Sequence, residues 1–219
     1  MEVRIPKSVT IVELENAPFN NAKSARLWAI DHGVVGKMSN EDTKGKGEIS
    51  ISCSSLDKML SGSALRKSVT PAIHFSALMR LRDIIRESFI GYMHPDYLKI
   101  NEVRSPANGV NPDVRIAVLY GCVSMGGLPF RAKTTLKLHR DVSQPTNAYS
   151  YEISNIEVLT GNAEPVTLRP NIKTSMDVSI LLNGVCDVNG APLLDGAAGR
   201  AEVTPRAGGE MCRGRRRGW

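Results

Sequence analysis

Aromatic residues make up only 5% of this 219-residue chain, so its core must be largely aliphatic. Long apolar runs are missing as well: none approaches the roughly 20 residues that a helix needs to cross a bilayer. Residues 1–10 contain no apolar stretch like that of a secretory leader, and Glu2 and Pro6 interrupt them further. Both absences point to a cytoplasmic protein with no membrane partner. The cysteines are few and scattered, at Cys53, Cys122, Cys186 and Cys212, with no C-x-x-C pair. That spacing offers neither a zinc site nor a disulfide framework, and it reads as reduced thiols. A phosphate-binding loop is missing too. Gly36-Lys37-Met38-Ser39 has Asp31 where the loop requires its first glycine, and Met38 where a hydroxyl must follow the lysine. No cofactor and no metal are therefore expected.

What is present is an alternating strand. Phe130, Ala132, Thr134, Leu136 and Leu138 fall on one face, and Arg131, Lys133, Thr135, Lys137 and His139 on the other. A second strand follows a polar loop and carries Ser150, Glu152 and Ser154 in the matching alternation. With a turn centred between Ser143 and Gln144, Lys137 would lie opposite Ser150 and Thr135 opposite Glu152, a register in which one residue of slip would flip every side chain. A sheet face this cationic is a place to hold phosphate. The net charge of +6 is uneven, because residues 206–219 hold five arginines and one glutamate. That tail has no apolar periodicity and reads as a solvated end.

Elsewhere the pattern favours helices first and strands later. A short helix is expected over 20–32, a strand over 48–53 and a short helix over 56–60. The strongest helix is expected over 71–90, with Thr70 as its cap, Pro71 at its first position and Gly91 as its stop. His94-Pro95-Asp96 reads as a helix-terminating turn, and residues 97–113 as a loop. Three strands are expected over 114–124, 128–140 and 148–159, with Gly126-Gly127 making the first connection. The fold class expected is α+β: N-terminal helices packed on an antiparallel four-stranded meander within residues 1–165, followed by a loosely structured basic C-terminal appendix over 166–219.

His74 lies in the first turn of the best helix, where the dipole favours a neutral imidazole and nearby anions. Ser61, Ser63, Arg66, Lys67 and Ser68 precede it closely. A lone histidine more often packs or caps locally. Set beside the cationic strand, however, His74, His139 or Glu152 could move protons while Arg131, Lys133 and Lys137 hold a phosphate, a set that suits metal-free RNA cleavage.

Several stretches carry a resemblance: W-x-x-x-x-G-V-V-G-K at 28–37, I-S-I-S-C-S-S-L-D-K-M-L-S-G at 49–62, Lys67-Ser68 and His74 leading into A-L-x-x-L-x-x-I-I at 77–85, L-P-F-R-A-K-T-T-L-K at 128–137, and N-A-Y-S-Y-E-I-S-N-I-E-V-L at 147–159. Their order resembles the third class of large polyvalent protein-associated domains, found in very long proteins of phages and conjugative elements. It is also similar to the barnase–EndoU–colicin–RelE-like nuclease domains of phages and polymorphic toxins. The resemblance spans residues 10–165. It implies helices followed by a four-stranded meander, a mobile-element origin, RNase or toxin-like activity and a phage or toxin-system partner protein. It carries a site over to His74, Lys133, Lys137, Ser150, Tyr151 and Glu152. This chain is expected to stand alone where the family sits inside giant proteins, and residues after Arg169 match nothing in the pattern. Three readings stay open: a metal-independent ribonuclease, a nucleic-acid-binding module favouring RNA over DNA, and a phage structural or interaction module. Arg66, Lys67, Arg131, Lys133, Thr135 and Lys137 are the candidate phosphate contacts.

Overall fold

The alternating segment at 128–139 is the centre of the sheet. A computed structural model describes residues 5–43, 48–100, 103–104, 106–141, 144–156 and 175–194. In chain order these form β1 (Ser8–Glu13), α1 (Ala22–Asp31), β2 (Gly36–Met38), β3 (Ile49–Ile51), α2 (Cys53–Met59), α3 (Gly62–Leu65), α4 (Pro71–Met79), α5 (Leu81–Glu87), β4 (Phe89–Tyr97), β5 (Lys99–Ile100), β6 (Val103–Arg104), β7 (Val110–Met125), β8 (Leu128–His139), β9 (Thr146–Asn155), β10 (Ser175–Asp177) and α6 (Val178–Leu181). Eight strands join one sheet in the order β10-β1-β7-β8-β9-β3-β2, with β4 also paired to β7.

The sheet is mixed, which corrects the expected four-stranded antiparallel meander. β7, β8 and β9 do run as a meander, but β1 pairs with β7 in parallel and β3 pairs with β9 in parallel. The reason lies in short strands whose partners are distant in sequence. The β1 segment alternates Val9 and Ile11 with Ser8 and Thr10, but it docks beside Cys122–Ser124, more than a hundred residues away. The C-terminal appendix is corrected in part. Ser175–Asp177 pairs antiparallel with β1, and the α6 segment that follows is buried at Val178 and Leu181. The boundary near residue 165, the end of the strand expected over 148–159 and the arginine-rich tail lie outside the described residues.

The helix expected over 71–90 is two helices and the start of a strand. Thr70 accepts the Ile73 N–H at 3.2 Å, and Pro71 sits in the first turn as expected. At Arg80 the backbone leaves the helical region (φ −110°, ψ 15°) before α5 begins. The break lets each half pack differently: α4 against α1 and β9, α5 against β1 and β7. From Phe89 the chain is already strand, so His94-Pro95-Asp96 lies inside β4, not at a helix end. Gly91 at a bulge in β4 is a close approach: a Cβ there would come within 2.5 Å of the Tyr120 ring. Gly126 and Gly127 (φ 59° and 78°) form the two-residue turn between β7 and β8, the left-handed pair that such a hairpin needs.

Each sheet face has its own core. One face is covered by the helices, through Ala25, Ala29, Leu56, Met59, Leu78, Leu81 and Ile85 packed on Leu119, Ala132, Leu136, Tyr151 and Ile153. The other face holds Ile11, Phe89, Ile116, Val118, Tyr120 and Cys122, and the described C-terminal residues Met176, Val178, Leu181 and Leu182 cover part of it. Burying each large aliphatic side chain fully contributes about 1.5–3 kcal/mol, so both faces drive folding. No helix among the described residues is long and apolar enough to cross a membrane.

Candidate functional site

Alternation in β9 divides the expected site residues between the two faces. Tyr151 points into the helix layer and Glu152, the next residue, points away from it. His74 belongs with Tyr151. It is fully buried, its ring stacks on Tyr151 with centroids 4.1 Å apart, and the Tyr151 hydroxyl donates to the His74 carbonyl at 2.9 Å. Nε2 lies 3.0 Å from the Met59 carbonyl, which can only accept, so Nε2 carries the proton. Nδ1 is then the acceptor for the Ser68 hydroxyl at 2.8 Å, and Ser68 Oγ in turn accepts the Ile153 N–H at 3.0 Å. Both ring nitrogens are thus engaged with the protein. Burial lowers the His74 pKa from 6.5 to about 4, with the Met59 hydrogen bond opposing weakly. Burial thus keeps the imidazole neutral, and it ties α4, the segment after α3 and β9 together. Arg66 and Lys67, just before Ser68, are exposed at the end of α3 on the helix layer.

The cationic row lies on the other face. In the observed register Lys133 pairs with Glu152, Thr135 with Ser150 and Lys137 with Asn147, two residues from the expected one at the first two pairs. A slip of two keeps every side chain on its face. A bulge after Thr135 makes Tyr149 the extra residue of β9. The lysines are not bare. Lys133 Nζ sits 2.9 Å from Glu152, and Lys137 Nζ 3.7 Å from Asp96. Arg131 serves the C-terminal segment, its Nε donating to the Leu181 carbonyl at 2.5 Å and Nη2 to that of Asn183 at 2.8 Å. His139 ends the row opposite Val114.

Rings border this row. On β4, Tyr92 stacks on His94 at 6.0 Å and His94 on Tyr97 at 5.7 Å between centroids. Tyr92 and Tyr120 stand 6.5 Å apart, and burial raises both phenol pKa values, while Lys133 pulls that of Tyr92 back. Burial also pushes the Cys122 thiol up to about 12, so it is inert at neutral pH. At the rim of β9 the Tyr149 ring lies 4.9 Å from Lys58 Nζ and 5.1 Å from Lys137 Nζ. Tyr92, His94, Asp96, Lys58 and Tyr149 were not among the expected site residues. The alternation of Tyr92 and His94 with Met93 and Pro95 was a readable strand signal, hidden by extending the preceding helix to residue 90.

The arrangement offers two half-exposed lysines, two carboxylates, hydroxyls from Thr135 and Ser150 and a row of stacked rings on one surface. His74 is on the far side of the sheet. Among the described residues, no three His, Cys, Asp or Glu side chains gather where they could hold a metal ion. Comparison of the chain with protein-family models, with curated proteins and with solved structures gave no match.

Proposed function

We propose that this domain is a non-catalytic binding module for single-stranded nucleic acid, RNA rather than DNA, which it engages on the sheet face bearing Lys133 and Lys137. The observation that carries the reading is that these two lysines share one face with the Tyr92–His94–Tyr97 ring row, while the buried imidazole of His74 is spent on Met59 and Ser68. Sequence-tolerant binding of single strands combines lysines that follow the phosphates with rings on which bases stack. The Lys133–Glu152 pair is partly exposed and is worth about 0–1 kcal/mol, so a phosphate can replace Glu152 at small cost, whereas Asp96 is buried and stays with Lys137. The released Glu152 carboxylate then accepts hydrogen bonds from base amino groups. RNA is favoured because hydroxyl and carboxylate partners such as Thr135, Ser150 and Glu152 suit the 2′-OH.

The ribonuclease implied by the family resemblance is the weaker reading. His74 has no free nitrogen and cannot take a proton from a ribose on the opposite face, which leaves Glu152 and His139 of the three groups the sequence named for that work. The order of sequence motifs supports an origin in a phage or conjugative element and work beside a phage or toxin-system protein; the cytoplasm is the compartment we propose for that work. The test is binding of a labelled oligouridylate across a salt series, followed in EDTA by a search for cleaved products. Salt-dependent binding without turnover supports the module; turnover that survives in His74→Leu would restore an enzyme built on the open face.

A further inference from the structure

The sequence His94-Pro95-Asp96 belongs to β4, which among the described residues pairs only with β7. Pro95 has no N–H for a ladder, and an edge strand is where a sheet tolerates it. Its carbonyl binds the neighbouring side chain: His94 Nδ1 lies 2.7 Å from the Pro95 oxygen. A carbonyl only accepts, so Nδ1 carries the proton and the lone pair of the neutral ring is on Nε2. The imidazole stacks on Tyr92 and on Tyr97 and is the middle member of the row. It is half-buried, and among the described residues its Nε2 has no partner. Stacking and the Pro95 bond thus fix the tautomer and leave one acceptor.

A nitrogen that accepts but cannot donate discriminates between sugars. A ribose offers it the 2′-hydroxyl proton; a deoxyribose offers nothing. Phosphate does not suit it, because phosphodiester oxygens are themselves acceptors. When successive bases stack on Tyr92 and Tyr97, the sugar–phosphate segment joining them passes the ring between. We infer that His94 Nε2 accepts a hydrogen bond from a ribose 2′-hydroxyl and so makes the ring row selective for RNA over DNA. Thr135 and Ser150 can donate as well as accept, and Glu152 is held by Lys133 until a strand displaces it, so none of them has the same preset polarity. The inference rests on the single-strand-binding reading of this face for its ligand.

The test uses the full chain and three labelled probes: oligouridylate, its 2′-deoxy counterpart and its 2′-O-methyl counterpart. The methylated sugar keeps the oxygen but has no proton to donate, so it should bind wild type as weakly as the deoxy strand does. His94→Phe keeps a ring in the row and removes the acceptor. It should weaken oligouridylate by about three- to tenfold, the share of one hydrogen bond, and leave the other two probes unchanged. If wild type prefers oligouridylate and His94→Phe keeps that preference in full, the role of His94 is overturned and the sheet-face reading stands. Equal weakening of all three probes would make His94 only a member of the stack and would overturn the inference as well. If wild type binds none of the probes, the sheet-face reading fails and the role of His94 falls with it. Nitrogen NMR of the free protein supplies a check that needs no ligand: a proton on Nδ1 is expected, and one on Nε2 would overturn the inference.

Discussion

Acidification should destabilise this fold through one side chain. In the unfolded chain His74 takes a proton near pH 6.5, but in the folded chain burial holds its pKa at about 4. Between those values the unfolded state binds more protons, so the contribution of neutral His74 is complete above pH 6.5 and is lost as pH falls toward 4. A separation of this size corresponds to roughly 3 kcal/mol in full, and roughly 2.5 kcal/mol between about pH 7.5 and about pH 4.5. Among the described residues no carboxylate faces the ring: it meets the Ser68 hydroxyl, the Met59 carbonyl and the rings of Tyr151 and Phe75. A proton added there would find no counter-charge. Urea unfolding at the two pH values, for wild type and His74→Leu, isolates the effect, because every other titrating group is common to both. The substitution leaves the Met59 carbonyl without its imidazole donor and the Ser68 O–H without its acceptor, although Ser68 Oγ still accepts the Ile153 N–H, so His74→Leu should be less stable at neutral pH by about 1–3 kcal/mol for each of the two groups left unsatisfied. Its stability should nevertheless fall less on acidification, by roughly 2.5 kcal/mol, than that of wild type. Equal pH dependence in the two proteins, or an NMR titration of His74 near 6.5, would refute the assignment of a sealed, neutral imidazole.

Two further outcomes follow from the same contacts. Tyr151→Phe keeps the stack on His74 and removes only the hydroxyl bond to its carbonyl, so chemical unfolding should show a loss of about 1 kcal/mol. Arg131→Ala removes two charge-assisted bonds to the Leu181 and Asn183 carbonyls, so hydrogen exchange should quicken in residues 175–194 and stay unchanged in α4 and β9; faster exchange throughout the chain would contradict a local clamp.

How much of this was readable beforehand depended on sequence distance. The β7–β8–β9 meander announced itself through Gly126-Gly127 and the strict alternation after Phe130, because both signals are local. The facing of Lys133, Thr135, Lys137, Ser150 and Glu152 was readable for the same reason: a register error of two preserves the faces. What stayed hidden was non-local. The pairing of β1 with Cys122–Ser124 and of β3 with Thr146 and Asn147 depends on which edges the meander leaves open. The break at Arg80 has no proline or glycine to mark it; it is set by what each half-helix packs against. At the site, periodicity could show that His74 belongs to a helix but not that Met59 and Ser68 would consume both nitrogens. Nor could charge counting reveal that Asp96, on a strand mistaken for a turn, would reach Lys137. The row of cations on β8 is real as a row, but its charge is largely matched on neighbouring strands.

The most direct test of the account is the affinity of the intact chain for a labelled single-stranded RNA as salt is varied, for wild type, Lys133→Ala and Lys137→Ala. Each substitution removes a cation and unmasks a carboxylate, Glu152 or Asp96. The expected result is salt-dependent binding by wild type, weakened in each variant with a slope reduced by about 0.7 or more, and RNA recovered uncut. Binding that ignores salt, or that both variants retain in full, would contradict the claim that this sheet face holds the strand.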